Sequence, residues 1–337
     1  MHNAGLAAGN ACIRHLLDCC TTMIVRPRPS GIEYFFLLRG SVLPTIWLKL
    51  TITIVTAIVV AFNHGVLYHL KISLTPIPFS LMGLALAIFL GFRNSASYDR
   101  FWEGRKLWGG LTNASRNLVR QACAYLEAPA GSASTEQAAV EQMRSKLAYA
   151  AIAFGHSLRH QLRDEDPWED IARLLPAEQV AGLRRLQNPA ARILHAMGQD
   201  IQSCQRRGWL SLQMAQEMDR SVEQMVAVLG GCERLKHTPL PFSYSVLLHR
   251  TVYVYCYLLP FGLIDSIGML TPLVVGVVSY TFFGLDAIGD EIEEPFGLTS
   301  NDLPLTALSY GVEISVRELL GETDLPPQPQ PVDYFLQ

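Results

Sequence analysis

The sequence predicts an all-α integral membrane protein with four transmembrane helices and a helical cytosolic block between the second and third spans. Half of its 337 residues are hydrophobic and only 17% are charged, whereas soluble domains average roughly 25% charged residues. The apolar residues are also gathered into long runs, as in membrane-spanning helices. Almost nothing between these runs has the strict alternation of a β-strand.

The most informative run is Ile72–Phe92, whose 21 residues include no Asp, Glu, Lys, Arg or His. As a helix it measures about 31 Å, close to the thickness of a bilayer's hydrocarbon core. The segment RNSASYDRFWEGRKLW (93–108) follows at once. We therefore predict a span that passes into a water-facing helix. Trp102 and Trp108 are expected in subunit packing or in an interfacial belt.

Three further apolar runs complete the predicted set of spans. The first span is Val42–Tyr68, the third is Tyr244–Ile264 and the fourth is Gly268–Leu285. Asp265 separates the last two runs, so we expect a tight turn near this residue. The acidic side chains that follow the fourth run are expected to form a solvated helix face; they are Asp286, Asp290, Glu291, Glu293 and Glu294.

The basic residues predict the topology. Arginines precede the first span and six basic residues follow the second, but Lys71 alone lies between them. The positive-inside rule therefore places the N-terminus and the middle region in the cytoplasm of a cell whose inner membrane the chain crosses. Four spans return the C-terminus to the same side. The predicted segments are an N-terminal extension (1–22), the first two spans with their cytosolic lead (23–93), the cytosolic helical region (94–241), spans three and four (242–288), and a C-terminal segment with a proline-rich tail (289–337).

Helical periodicity divides the middle region into elements. Apolar residues spaced about 3.6 apart predict a helix over 142–163, ended by a break at 164–167. Pro176 is expected to begin another helix, and a third over 210–229 is expected to end at Gly230 and Gly231. Residues 128–134, APAGSAS, are predicted to form a loop, and PPQPQP (326–331) an extended or disordered tail.

Several classes of function are disfavoured. The net charge of −3 argues against a nucleic-acid binder, and the seven cysteines lack metal-ligand spacing, so no cofactor or metal is expected. His156 and His160 lie four residues apart, a spacing more typical here of helix packing than of zinc binding. The acidic run 164–170 is expected to be an exposed turn and helix start. No nucleotide-binding or catalytic motif is present, so the chain is not expected to be an enzyme.

Three stretches carry a resemblance to a known family. They are IPFS (77–80), GFRNSASYDRFWEGRKLW (91–108) and GDEIEEPFG (289–297), in the order of four spans around a cytosolic block. Together they are similar to the bestrophin family, specifically its bacterial branch, over residues 23 to about 322. The resemblance implies a homopentameric ion channel in which the second span lines a central pore. Its apolar neck falls at Ile77, Leu81 and Ala85, and a shift of one residue puts Leu84 in place of Ala85.

The same resemblance bears on the partners and ions. The partners it implies are further copies of this chain, small inorganic ions and the lipid bilayer. The better-known members of the family pass chloride, whereas some bacterial members favour cations. The calcium-binding acidic run of eukaryotic members corresponds here to Leu298–Asp302, which has one carboxylate, so calcium activation is not expected. Two alternatives stay open: a membrane carrier, although no internal repeat is present, and a membrane-anchored interaction protein.

Overall fold

The computed structural model describes residues 23–25, 31–33, 40–63, 75–332 and 334–336. Within these ranges there is no β-strand, and the only β-pairing is in isolated bridges near the two ends of the chain. The all-α prediction is therefore confirmed. The helices are α1 (Leu43–Phe62), α2 (Pro76–Tyr125), α3 (Ser134–Arg163), α4 (Trp168–Leu174), α5 (Ala177–Leu183), α6 (Pro189–Arg206), α7 (Leu212–His237), α8 (Phe242–Ile267), α9 (Thr271–Glu293) and α10 (Leu305–Leu319).

The chain forms two compact units. Among the described residues, those within 27–103 and 238–295 form one unit, here called the membrane unit. Those within 23–25, 104–237 and 296–336 form the other, the helical unit. The 50-residue helix α2 contributes to both. The segment boundaries expected from the sequence, at 93/94, 241/242 and 288/289, stay predictions.

Long apolar helices make up the membrane unit. Among the described residues, three helical stretches are long and apolar enough to cross a membrane: Leu43–Phe62, Pro76–Tyr125 and Phe242–Glu293. The third stretch contains both α8 and α9. Tyr253 meets Phe283 and, farther along α8, Tyr255 meets Phe282, so the two helices run antiparallel as a hairpin. The number of membrane crossings stays a prediction.

The hairpin turn lies slightly beyond its expected position. Helix α8 continues through Asp265 to Ile267, and the chain turns in a short 3-10 segment, Gly268–Leu270. Gly268 has φ 52° and ψ −128°, a conformation that side chains with a Cβ rarely adopt. The predicted tight turn is therefore present but begins three residues beyond Asp265, because the backbone geometry selects the glycine rather than the charged residue.

The first span is described only in part. Helix α1 ends at Phe62, and the Asn63 side-chain amide donates a 2.8 Å hydrogen bond to the Val59 carbonyl. The rest of the predicted first span, with the loop that contains Lys71, lies outside the described residues. So do the proposed extension, residues 1–22, and the arginines that precede the first span, Arg26, Arg28 and Arg39.

The helical unit contains the predicted breaks but one helix is longer than expected. Asp164 ends α3 in the left-handed conformation, and Pro176 directly precedes α5. Helix α7, however, continues through Gly230 and Gly231 to His237. A Cβ at Gly231 would lie 2.7 Å from the Leu107 Cδ2 atom. The predicted helix end was wrong because Gly231 permits close packing rather than terminating the helix.

Candidate functional site

One face of the membrane part of α2 packs against its own protomer. The buried positions are Phe79, Leu86, Leu90, Arg93 and Ser97, whose spacing of three, four and seven residues places them in a single stripe. Small residues allow this stripe to pack closely. The Phe79 ring contacts Gly262 of α8, and a Cβ at Gly83 would lie 2.6 Å from the Tyr255 hydroxyl oxygen.

The opposite face of α2 is apolar and uncovered. Ile77, Leu81, Leu84 and Ile88 are 68%, 68%, 63% and 49% exposed. At 100° per residue they lie roughly 150–180° around the helix from the packed stripe, whereas Ala85 lies roughly 110° from it. Ala85 is also exposed. This uncovered face (positions 77, 81, 84 and 88) therefore holds Leu84 nearer its centre than Ala85, and it has no ionisable side chain.

Buried charges lie at the end of the packed stripe. The Arg93 side chain is 1% exposed and its Nη1 atom lies 2.8 Å from Oδ1 of Asp286, which is 3% exposed. Asp290 pairs with Nη2 of the same guanidinium, and Glu293 lies 3.8 Å from it. The second Asp286 oxygen lies 2.7 Å from His249 Nδ1. A carboxylate of α9 thus joins α2 and α8.

This arrangement corrects the expectation for the end of the fourth run. Asp286 is buried and paired, and the Glu293 carboxylate accepts a 3.0 Å hydrogen bond from the Leu240 backbone N–H. Asp286 and Glu293 therefore depart from a solvated helix face, whereas Asp290 and Glu294 are exposed as expected. In the described part of the chain, His249, Asp286 and Asp290 form the one group of three ligand-type side chains close enough to share a cation. Arg93 already pairs with both of its carboxylates.

A second buried charge cluster lies in the helical unit. Glu313 of α10 is fully buried; its carboxylate accepts two 2.6 Å hydrogen bonds from Arg173 of α4 and lies 2.8 Å from His156 Nε2. Burial acts to raise the pKa of Glu313, but the bonds from Arg173 and His156 outweigh it and lower the pKa to about 2. Burial lowers the pKa of His156. The cluster ties α10 to α3 and α4.

The expected exposed acidic run 164–170 is only partly exposed. Asp170 accepts a 2.5 Å hydrogen bond from Arg159 and lies 2.9 Å from His160 Nε2. The His160 contact, foremost, holds the pKa of Asp170 well below its ordinary range. His160 and His156 are therefore bound to carboxylates of the helical unit. Asp170 departs from the prediction because the cations of α3 face it, which the run of acidic letters did not indicate.

The segment after the PFG motif is stabilised from within. Asp302 is 1% exposed, and its carboxylate accepts a 2.6 Å hydrogen bond from the Thr299 backbone N–H. This bond closes the turn Leu298–Asp302 locally.

The two tryptophans beyond the apolar part of α2 differ in exposure: Trp108 is fully buried and Trp102 is 48% exposed. Trp108 is therefore covered within a single subunit.

Sequence reasoning missed the Arg93–Asp286 pair. In sequence, Arg93 opens the segment 93–108 that follows the second apolar run, and Asp286 opens the acidic run that follows the fourth. The signal was present in the helical spacing, because Arg93 continues the stripe of Phe79, Leu86 and Leu90. A charge at a packed position of an apolar helix requires a buried partner.

The fold and the apolar face define an α-helical membrane protein. Residues 23–318 match the model of the bacterial/fungal bestrophin family, and the chain belongs to this family. A voltage-dependent anion channel-forming protein of Ralstonia nicotianae is 43% identical over 306 residues, which cover 90% of this chain and 96% of the relative. The protein of the same description from Escherichia coli K12, YneE, is 40% identical over 304 residues, 90% of this chain and 96% of the relative.

Solved structures agree with this assignment. The crystal structure of a bacterial bestrophin homolog from Klebsiella pneumoniae is similar to this chain, with a TM-score of 0.77 and 41% sequence identity. The match covers 82% of this chain and 99% of that one. The predicted family is therefore confirmed, and with it the expectation that the chain is not an enzyme.

Proposed function

We propose that this chain is one subunit of a homopentameric channel that conducts small ions passively through a central pore. The observation that carries the proposal is the uncovered face of α2, which is apolar and lies opposite the packed stripe. Five copies of this face around an axis enclose a path lined by Ile77, Leu81 and Leu84, with Ala85 beside it. The face from Ile77 to Ile88 extends about 17 Å along the helix.

An apolar neck of this kind controls ions through hydration rather than through binding. Its side chains offer no charge and no hydrogen bond to replace the water around an ion, so a narrow neck closes by dewetting. A smaller side chain at one neck position widens the neck in all five subunits, keeps it hydrated and raises the ion flux. A carrier or an interaction protein would instead show no dependence of ion flux on these positions.

The proposed ions are small anions such as chloride. The two relatives compared above are named as anion channel-forming proteins. Within this chain, the acidic residues near the end of α9 are the main argument for a cation preference. The pairing of Arg93 with Asp286 and Asp290 weakens that argument, because the guanidinium neutralises part of their charge.

The proposed topology follows the charge distribution. The N-terminus, the helical unit and the C-terminus lie in the cytoplasm, and the apolar helices cross the inner membrane four times. The excess of Lys and Arg after the second apolar run supports this orientation.

Reconstitution in planar bilayers tests the proposal. With NaCl concentrations differing tenfold across the bilayer, an anion channel shifts the reversal potential toward about 59 mV, with the sign of the chloride equilibrium potential. A reversal potential of the opposite sign would establish cation preference. Absence of current from correctly folded protein would favour the carrier or the interaction protein. Native mass measurement in detergent is expected to give five copies, and a monomer or dimer would exclude this pore.

A further inference from the structure

Arg93 is a buried charge in a helix that is otherwise apolar for five turns before it. It belongs to the buried stripe of α2, between Leu90 and Ser97, so it points away from the uncovered face of this helix. The buried residues before it, Leu86 and Leu90, belong to an apolar cluster with side chains of α8 and α9, and between them the Tyr244 hydroxyl donates a 3.2 Å hydrogen bond to the Phe89 carbonyl. Apolar contacts are not directional, so they alone tolerate small rotations of the helix about its axis.

The partner of Arg93 is itself held at both oxygens. Asp286 Oδ1 accepts the 2.8 Å bond from Arg93, and Oδ2 lies 2.7 Å from His249 Nδ1. One residue further along α2, the Asn94 side-chain amide donates a 3.1 Å bond to the Leu285 carbonyl. The Asp286 carboxylate on α9 is therefore held in place, and the direction in which Arg93 approaches it depends on the rotation of α2 about its axis.

We propose that Arg93 is a positioning residue whose ion pair with Asp286 fixes the rotation of α2 and thereby keeps the uncovered face turned toward the pore. Rotation by one residue moves a side chain about 100° around the axis. Such a rotation withdraws the guanidinium from Asp286 and leaves charges buried without partners, which is strongly unfavourable. Arg93 therefore selects one rotational setting among several that apolar packing accepts.

A second set of contacts lies nearer the start of α2. The close approaches at Phe79–Gly262 and Gly83–Tyr255 hold the first turns. Arg93 lies ten residues beyond Gly83, about 15 Å along the helix. Leu84 and Ile88 lie between these two anchors, so the setting of the inner part of the neck depends on both. This inference rests on the proposed function, because the uncovered face has a role in conduction only if it lines the pore.

Cysteine labelling measures the rotation directly. Leu84→Cys reports the uncovered face and Leu86→Cys reports the packed stripe, where the native residue is 2% exposed. A charged, water-soluble thiol reagent is applied to the assembled protein, and labelled peptides are resolved by mass so that native cysteines do not interfere. With Arg93 present, we expect Leu84→Cys to react at least about tenfold faster than Leu86→Cys. With Arg93→Met, we expect this ratio to fall to about threefold or less.

Two further variants separate positioning from stability. Arg93→Lys retains the charge and is expected to keep most of the ratio. The double variant Arg93→Met/Asp286→Leu is used if Arg93→Met alone does not fold. It removes both members of the buried ion pair, so we expect folding to recover while the labelling ratio stays low. If the labelling ratio stays high in both Arg93→Met and Arg93→Met/Asp286→Leu, the inference about Arg93 is overturned but the proposed pore is not. A ratio near one with Arg93 present would overturn the pore and, with it, this inference.

Discussion

Removing the charge of Glu313 is predicted to destabilise the helical unit by about 3 kcal/mol. Its pKa of about 2 in the folded protein, against an ordinary 4.5, corresponds to this amount at neutral pH. Since the folded-state pKa is depressed, the contribution is present above pH 4.5 and is lost as the pH falls toward 2. Glu313→Gln also leaves Arg173 with Asp170 as its remaining carboxylate partner, and breaking a buried ion pair costs a similar amount, about 3–5 kcal/mol.

Thermal unfolding of the purified protein measures this effect. A loss of about 3 kcal/mol lowers the Tm by roughly 6–12 °C for a unit of this size. Glu217→Gln is the matched control, because Glu217 pairs with Arg220 at 2.7 Å but is 45% exposed, and exposed pairs contribute only about 0–1 kcal/mol. By pH 3 the gap between Glu313→Gln and the unmodified chain is expected to shrink to less than half. Equal Tm values at pH 7, or a gap that is independent of pH, would refute the reasoning.

Three glycine substitutions give further predictions. Gly230→Ala should raise stability by up to about 1 kcal/mol, because a Cβ there meets nothing within 4 Å and alanine favours the helix. Gly231→Leu, one residue on, should lower stability by about 1–3 kcal/mol because it collides with Leu107. Chemical unfolding of the two variants side by side checks this, and equal stabilities would contradict the packing argument. Gly268→Ala should destabilise the α8–α9 hairpin by about 1–3 kcal/mol, since its φ is 52°; an unchanged Tm would contradict the assigned turn.

The fold class was predictable because the apolar runs are long. A stretch of 21 residues without an ionisable side chain has few structures other than a membrane helix. Helix ends were harder to predict, because one residue type serves different purposes. Gly231 permits the close approach of Leu107 within a helix, whereas Gly268 ends one with a positive φ. Sequence spacing alone does not distinguish these two uses of glycine.

The candidate site was predictable for its apolar face but not for its charges. Ile77 and Leu81 follow from helical spacing together with the family motif, and their role in a neck stays a prediction. The partnership of Arg93 with Asp286 joins residues 193 positions apart, so no local pattern reveals which carboxylate is chosen. The same reason applies to Glu313, whose partners Arg173 and His156 lie on other helices.

Single-channel recording of Leu81→Ala tests most directly whether the uncovered face of α2 lines the ion path. Leu273→Ala is the matched control, since Leu273 of α9 is also a leucine with 68% exposure. We predict that Leu81→Ala raises conductance or open probability while Leu273→Ala leaves both unchanged. Currents of Leu81→Ala that cannot be distinguished from those of the unmodified channel would contradict a pore lined by α2.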